Sequence, residues 1–124
     1  MKVLVVDDFA TMRKIVKNVL KQINIENVVE AENGKHALNV LRSEEIDLII
    51  SDWMMPEMTG IEFLKVCKED DEKKKIPFIM VTAEGQKDSV MEAIKSGVDN
   101  YIVKPFTPDK LKEAIDRARA RAGK

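Results

Sequence analysis

The chain has 124 residues, and its 44% hydrophobic and 35% charged residues indicate a globular rather than a disordered protein. With 21 lysines and arginines against 22 aspartates and glutamates, no overall charge marks a binder of nucleic acid or of membrane surfaces. The single cysteine excludes an internal disulfide, no stretch approaches the roughly 20 apolar residues of a membrane helix, and we therefore expect one cytoplasmic domain over residues 1–124.

Short apolar runs rich in β-branched residues alternate with helical patterns along the chain. The runs at 3–6, 48–50 and 78–81 are apolar at every position, which is typical of parallel strands covered on both faces. Shorter runs at 28–29 and 101–103 predict two more strands. An apolar stripe with helical spacing follows each run. The stripes comprise Met12, Ile15, Val16, Val19, Leu20 and Ile23; Ala37, Leu38 and Leu41; Leu64 and Cys67; Val90, Ala93, Ile94 and Val98; and Leu111, Ala114, Ile115 and Ala118.

Turn-forming residues mark the ends of these helices. Pro108 suits the first turn of the last helix, while Gly97 and Gly123 lie where the fourth and fifth helices are expected to end. Five strand–helix units in strict alternation predict an α/β fold, a single doubly wound (βα)5 domain around a parallel five-stranded sheet. The pattern by itself leaves the order of the strands open.

Polar side chains stand where four of the five strands are expected to end. Open parallel sheets bind ligands outside the carboxyl ends of their strands, so these side chains are the candidate functional residues. Strand 2 ends in an ordinary turn. The other four strands end in Asp7 and Asp8, in Asp52, in Thr82 and in Lys104.

This set of side chains has a definite electrostatic consequence. Three carboxylates close together repel one another, so at least one pKa should rise unless cations compensate, and Lys104 offsets only one charge. Carboxylate oxygens and waters are ligands that suit Mg²⁺ or Mn²⁺. Asp52 could then act as a nucleophile that forms an acyl phosphate, with charge stabilisation from the cation and Lys104.

Four segments together resemble a known family. They are VDD at 6–8, SDWMMPEMTG at 51–60, VTAEG at 81–85 and YIVKPF at 101–106, and they resemble the receiver domain of two-component response regulators. The resemblance covers essentially the whole chain. It is strongest to the stand-alone chemotaxis regulators of that family, through Trp53 and the segment KPFTP. It implies a flavodoxin-like fold with strand order 2-1-3-4-5.

The resemblance also implies a role for each residue at the site. Asp52 matches the aspartate that takes a phosphoryl group from a sensor histidine kinase. Asp7 and Asp8, with Asp52 and the backbone carbonyl of Met54, match the ligands of Mg²⁺. Lys104 matches the lysine that contacts the phosphoryl group, and its bond to the following proline is expected to be cis.

Two further positions match the switch of the family. Thr82 corresponds to the hydroxyl that moves to bind the phosphoryl group, and Tyr101 to the aromatic ring that then turns inward. This motion reshapes the face formed by helix 4, strand 5 and helix 5, where partners bind. Met54 and Glu84 border the path of the hydrolytic water and are predicted to modulate dephosphorylation. Met54 stands where chemotaxis regulators commonly have asparagine, which leaves open the rate of self-dephosphorylation and whether a phosphatase is a partner.

Several conspicuous residues are more simply explained by packing or exposure. His36 lies outside the helical stripe beside it, so a surface position is expected. Cys67, Met55 and Met58 are expected to pack in or around the core, and packing is also favoured for Phe106.

These features predict a signalling switch rather than an enzyme, monomeric, that catalyses only its own phosphorylation and dephosphorylation. The chain ends just after helix 5, which favours a diffusible regulator of the flagellar motor switch. A phosphorelay intermediate, or a receiver excised from a larger regulator, is the alternative within signalling.

Rivals from other classes lack a residue that they need. A phosphatase of the haloacid dehalogenase type also uses an aspartate at a strand end, but it requires a second acid two positions later, where Met54 stands. A flavodoxin-like electron carrier requires a hydroxyl- and glycine-rich loop after strand 1, where this chain has Asp7 and Asp8.

Overall fold

The computed structural model describes residues 1–83 and 87–123, and it contains the predicted alternation of strands and helices. A short 3₁₀ turn at Lys73–Lys75 lies in the connection between the third helix and the fourth strand. The strands are β1 Val3–Val6, β2 Val28–Ala31, β3 Leu48–Asp52, β4 Phe78–Ala83 and β5 Asn100–Lys104. The helices are α1 Ala10–Gln22, α2 Gly34–Ser43, α3 Gly60–Glu69, α4 Lys87–Lys95 and α5 Pro108–Arg121.

The five strands form one parallel sheet in the order β2-β1-β3-β4-β5, which confirms the predicted fold class and strand order. The register aligns the carboxyl ends of the central strands. Val6 pairs with Ser51, Asp52 pairs with Val81, and Ala83 pairs with Lys104. Residues that are far apart in sequence therefore meet at one edge because of backbone pairing alone.

Each face of the sheet carries its own hydrophobic core. Alternate residues of β1 divide between the two, since Leu4 and Val6 pack with α2, α3 and α4, whereas Val3 and Val5 pack with α1 and α5. Burial on both faces explains the unbroken apolar runs, and a fully buried aromatic such as Phe63 contributes about 1.5–3 kcal/mol to stability. The central strands are therefore packed between two layers of helices.

Within the described residues, three helices begin after a residue whose side chain caps the first turn. Asn33, Thr59 and Thr107 accept hydrogen bonds from backbone N–H groups at the starts of α2, α3 and α5. Helix α1 differs, because its N-cap position is Phe9, which makes no side-chain capping bond within the described residues. Gly97, after α4, has a φ of 92°, in the left-handed region that glycine adopts without strain.

Two residues of the predicted stripes are exposed. Ile15 on α1 and Ile94 on α4 are exposed, because only about a third of each helix surface faces the sheet and both residues lie beside that arc. Asp52 and Lys104 are the last residues of β3 and β5, as expected, whereas β4 runs one residue past Thr82, to Ala83.

The packing predictions for other residues are confirmed. His36 is exposed, Cys67 and Met55 are buried, and Met58 and Phe106 pack partly buried against the two cores. Burial raises the pKa of the Cys67 thiol to about 12, so this cysteine is an inert core side chain. Within residues 1–83 and 87–123, none of the helices combines the length and the apolar character that crossing a membrane requires.

Candidate functional site

Three carboxylates converge at the carboxyl edge of the sheet. Asp7, Asp8 and Asp52 each place a side-chain oxygen within 4.8 Å of the other two. Asp7 is only 4% exposed and Asp52 only 8%, so most of their hydration is lost on folding. Carboxylates stripped of water and set beside one another are a costly arrangement that a folded protein does not need for packing.

Backbone contacts fix where these acids stand. The N–H of Asp7 donates to the carbonyl of Ala31 at 3.1 Å and so extends the pairing of β1 with β2. Beyond Asp52, the N–H of Trp53 donates to Val81 at 3.1 Å, and the N–H of Gly60 donates back to Trp53 at 2.9 Å. A Cβ at Gly60 would collide with the carbonyl oxygen of Asp52, so glycine permits the loop to fold back against β3.

Lys104 is the cation that faces this cluster in the part of the chain that the structure describes. Its Nζ lies 3.0 Å from Oδ1 of Asp52 and 4.0 Å from Oδ2 of Asp7. The peptide bond from Lys104 to Pro105 is cis, as expected.

One lysine does not balance the charge of three acids, and the pKa values of two of these acids are raised. Burial raises the pKa of Asp7 to about 6, the charges of Asp52 and Asp8 add to the rise, and the Phe9 N–H and Lys104 oppose it. Burial also raises the pKa of Asp52, although the hydrogen bond and charge of Lys104 oppose it. The site therefore holds surplus negative charge.

Two polar atoms at this edge are buried without a hydrogen-bond partner among the described residues, namely Oδ1 of Asp8 and Oγ1 of Thr82. Buried polar atoms are nearly always paired, so these two indicate groups that the protein acquires from outside. An orphaned carboxylate oxygen in an all-oxygen cluster fits a hard divalent cation such as Mg²⁺. An orphaned hydroxyl is free to donate to an anionic oxygen.

The cluster opens into a cleft of about 520 Å³ with an apolar rim. Phe9 and Met54 are exposed on that rim, and Trp53 is half-buried beside them. Lys104 and Asp52 line the same cleft. A ligand from solvent can therefore reach the acids without a change in the fold.

The predicted site residues do not all come together. Asp7, Asp8, Asp52, Thr82 and Lys104 meet at one edge, and Met54 lines the cleft above them. Tyr101 lies apart on β5, where it is exposed together with Val103 and, on α4, Met91 and Ile94. Glu84 lies outside the described residues.

Arg13 contacts the acidic edge of the sheet, and sequence reasoning missed it. Its Nη1 donates to the carbonyl oxygen of Asp7 at 2.7 Å. A clue in the sequence was that the N-cap position of α1 holds Phe9 instead of Ser, Thr, Asn or Asp. The start of α1 therefore lacks an ordinary capping side chain.

Comparisons with known proteins agree with this geometry. The family model for the response regulator receiver domain matches residues 3–116. Over 117 residues the chain is 47% identical to the chemotaxis protein CheY of Pseudomonas aeruginosa and 50% identical to the chemotaxis protein CheY1 of Helicobacter pylori. Both alignments cover 94% of this chain and 94% of the relative.

Solved structures of response regulators have the same fold as this chain. The chemotaxis response regulator CheY4 of Vibrio cholerae superposes with a TM-score of 0.83 at 36% identity, covering 94% of this chain and 97% of that chain. A response regulator receiver domain protein from Clostridium thermocellum superposes with a TM-score of 0.85 at 30% identity, covering 98% and 96%. The chain belongs to the response regulator receiver family, closely related to the CheY chemotaxis regulators, and is a phospho-accepting switch of two-component signalling rather than a classical enzyme.

Proposed function

We propose that residues 1–124 form one receiver domain in which Asp52 accepts a phosphoryl group from the phosphohistidine of a sensor kinase, in the presence of Mg²⁺. The observation that carries the proposal is the surplus of buried carboxylates, with Oδ1 of Asp8 and Oγ1 of Thr82 left unpaired in the described residues. A cation would satisfy the first atom and a phosphoryl oxygen the second.

The chemistry of acceptance is a simple transfer. A carboxylate oxygen of Asp52 attacks phosphorus, and the new O–P bond forms as the P–N bond to the donor histidine breaks. The donor ring, already protonated on its other nitrogen, leaves as neutral imidazole. Lys104, 3.0 Å from Asp52, favours the ionised nucleophile and stabilises negative charge on the transferring oxygens. Asp7, Asp8, Asp52 and the carbonyl of Met54 would hold Mg²⁺, which when bound supplies further positive charge for those oxygens.

The same residues can couple phosphorylation to a change of surface. The new phosphoryl oxygens are strong acceptors, and Thr82 can donate to one of them by moving its hydroxyl. A movement of Thr82 frees space that Tyr101 enters, so that the face of α4, β5 and α5 changes. The phosphoryl group shifts this equilibrium only as far as the two states differ in binding it.

The partners follow from the relatives by the same reasoning. Relatives named chemotaxis proteins support a histidine kinase as donor and a downstream protein such as the flagellar motor switch. Exposed apolar side chains on α4 and β5, Met91, Ile94, Tyr101 and Val103, are suitable for such a partner. Modulation of dephosphorylation by Met54 and Glu84, a phosphatase partner, a monomeric state and a cytoplasmic location stay predictions.

The proposal is tested with acetyl phosphate as a small phosphoryl donor. Wild-type protein with Mg²⁺ is expected to gain one phosphoryl group by intact mass spectrometry, and Asp52→Asn to gain none. Chelation of Mg²⁺ is expected to prevent the adduct. A wild-type protein that binds Mg²⁺ but never gains the group would contradict the proposal, and steady turnover of phosphate esters would indicate a hydrolase instead.

A further inference from the structure

We propose that Arg13 is a positioning residue for the cation site, because it fixes the turn between β1 and α1 so that Asp7 and Asp8 face the cluster. This inference rests on the proposed function, since it concerns how well the same acids hold Mg²⁺. Arg13 does not itself lie in the cluster. It acts through the backbone of Asp7.

The contact is specific and well shielded. Nη1 of Arg13 donates to the carbonyl oxygen of Asp7 at 2.7 Å, while Nε donates to Oε1 of Glu30 on β2 at 3.0 Å. The side chain of Arg13 is only 15% exposed, so water competes little with its bond to Asp7, whereas the side chain of Glu30 is 37% exposed. One guanidinium thus ties the end of β1 to the neighbouring strand.

The turn between β1 and α1 needs the bond from Arg13 because α1 lacks a capping side chain at its N-terminus. The caps of α2, α3 and α5 come from Asn33, Thr59 and Thr107, but Phe9 provides no capping side chain in the described part of the chain. The first N–H groups of a helix attract carboxylates, and Asp8 directly precedes Phe9. Without a fixed turn, Asp8 could cap α1 instead of facing Asp52.

Arg13 completes a set of bonds that hold Asp7 at three atoms. The N–H of Asp7 donates to the carbonyl of Ala31 at 3.1 Å, and Oδ1 of Asp7 accepts from the N–H of Phe9 at 2.9 Å. The carbonyl oxygen of Asp7 accepts from Arg13. With Asp7 held in this way, Asp8 follows in a position where its Oδ1 is buried and unpaired. The unpaired oxygen is therefore a consequence of the turn that Arg13 fixes.

Glu30 holds the guanidinium in place. It accepts from Arg13 through Oε1 and from Lys17 through Oε2 at 3.1 Å. Burial acts to raise its pKa, but the bonds from Lys17 and Arg13 leave the pKa of Glu30 below its ordinary value, so it stays ionised at neutral pH. Partners of this kind outside the ligand shell typically change metal affinity about 10–100-fold.

The test measures the Mg²⁺ dissociation constant by titration calorimetry, with the fluorescence of Trp53, the only tryptophan, as a second readout. Arg13→Met is expected to weaken Mg²⁺ binding about tenfold or more. Lys21→Met removes a positive charge from the same helix, and Val16→Ala loosens its packing against the core. Both controls are expected to stay within about twofold of wild type, because neither contacts Asp7.

The outcomes separate this inference from the proposed function. If wild type fails to bind Mg²⁺, both are overturned. If wild type binds Mg²⁺ and Arg13→Met binds it within about twofold, or if Val16→Ala weakens binding equally, only the role of Arg13 is overturned. Should Arg13→Met not fold, Glu30→Gln, which frees the guanidinium, is expected to weaken binding in the same direction and decides the question.

Discussion

A largely buried aspartate–lysine pair lies at each end of the strands, one at the carboxyl edge of the sheet and one at the amino edge. At the carboxyl edge, Asp52 lies 3.0 Å from Lys104, and at the amino edge Asp99 lies 2.9 Å from Lys68. The two carboxylates are similarly shielded, with side chains 11% and 8% exposed. By distance and burial alone, the two pairs are almost equivalent.

Their surroundings are different. Oδ2 of Asp99 also accepts from the N–H of Phe78 at 2.8 Å, so one acid meets one cation and a backbone donor. Asp52 instead shares Lys104 with Asp7, and Asp8 contributes a further carboxylate oxygen to the cluster. A buried ion pair is therefore no mark of function, whereas surplus like charge and unpaired polar atoms are.

The largest expected difference between the edges is in phosphorylation rate. Lys104→Met is expected to slow adduct formation from acetyl phosphate by about 100-fold, because it removes the lysine that stabilises the transferring oxygens. Lys68→Met is the matched control and should react within about twofold of wild type, measured at a temperature where both variants are folded. Equal rates for the two variants would show that Lys104 has no part in transfer.

A second difference concerns the free energy of unfolding. Asp99→Asn is expected to destabilise the protein by about 2–3 kcal/mol, because it weakens two charge-assisted hydrogen bonds and leaves the mostly buried Lys68 without its carboxylate partner. Urea denaturation measures the change. Stability equal to that of wild type would mean that the amino-edge pair is not the structural contact described above.

At the carboxyl edge, replacing an aspartate should increase the free energy of unfolding instead of lowering it. Asp7→Asn is expected to stabilise the metal-free protein at neutral pH by about 1–2 kcal/mol, since it removes one repelling charge while its side-chain oxygen can still accept from Phe9. The melting temperature should rise by about 3–6 °C. Added Mg²⁺ should stabilise wild type and Asp99→Asn but hardly affect Asp7→Asn, and a lower melting temperature for metal-free Asp7→Asn would contradict the account.

The smallest expected effect is a dependence on pH. The pKa of Asp7 is raised from 3.8 to about 6 in the folded chain, so between these values the folded state binds more protons than the unfolded state. Stability is therefore lost as pH rises through this window. Through Asp7, metal-free protein should gain about 1 kcal/mol of stability at about pH 5 relative to about pH 7, and Asp7→Asn should lose this contribution.

Much of the fold and the site could be predicted because it follows from local pattern. β1 and β3 are buried on both faces, which makes their apolar runs unmistakable, and parallel strands must bring their carboxyl ends to one edge. The acids therefore converge wherever the strands pair. Strand order came from the family resemblance, because periodicity carries no information about which strands are neighbours.

Other features depend on contacts that no local pattern encodes. Lys68 and Asp99 are separated by 31 positions. Their pairing depends on how the residue that precedes β5 lies beside α3 in the packed structure. Arg13 reaches a backbone carbonyl, and any residue at position 7 would provide one. Ile15 and Ile94 fit the helical period but lie beside the buried arc, whose width only the packed structure defines.

The most direct test of the account is to locate the phosphoryl group. Protein treated with acetyl phosphate and Mg²⁺ would be reduced with borohydride, which converts an aspartyl phosphate into an alcohol, and then digested and sequenced by mass spectrometry. The account predicts that the reduced residue is Asp52, in wild type and in Asp99→Asn alike. Reduction of Asp99, or a phosphoryl group retained on His36 or on a hydroxyl residue, with Asp52 unmodified, would contradict it.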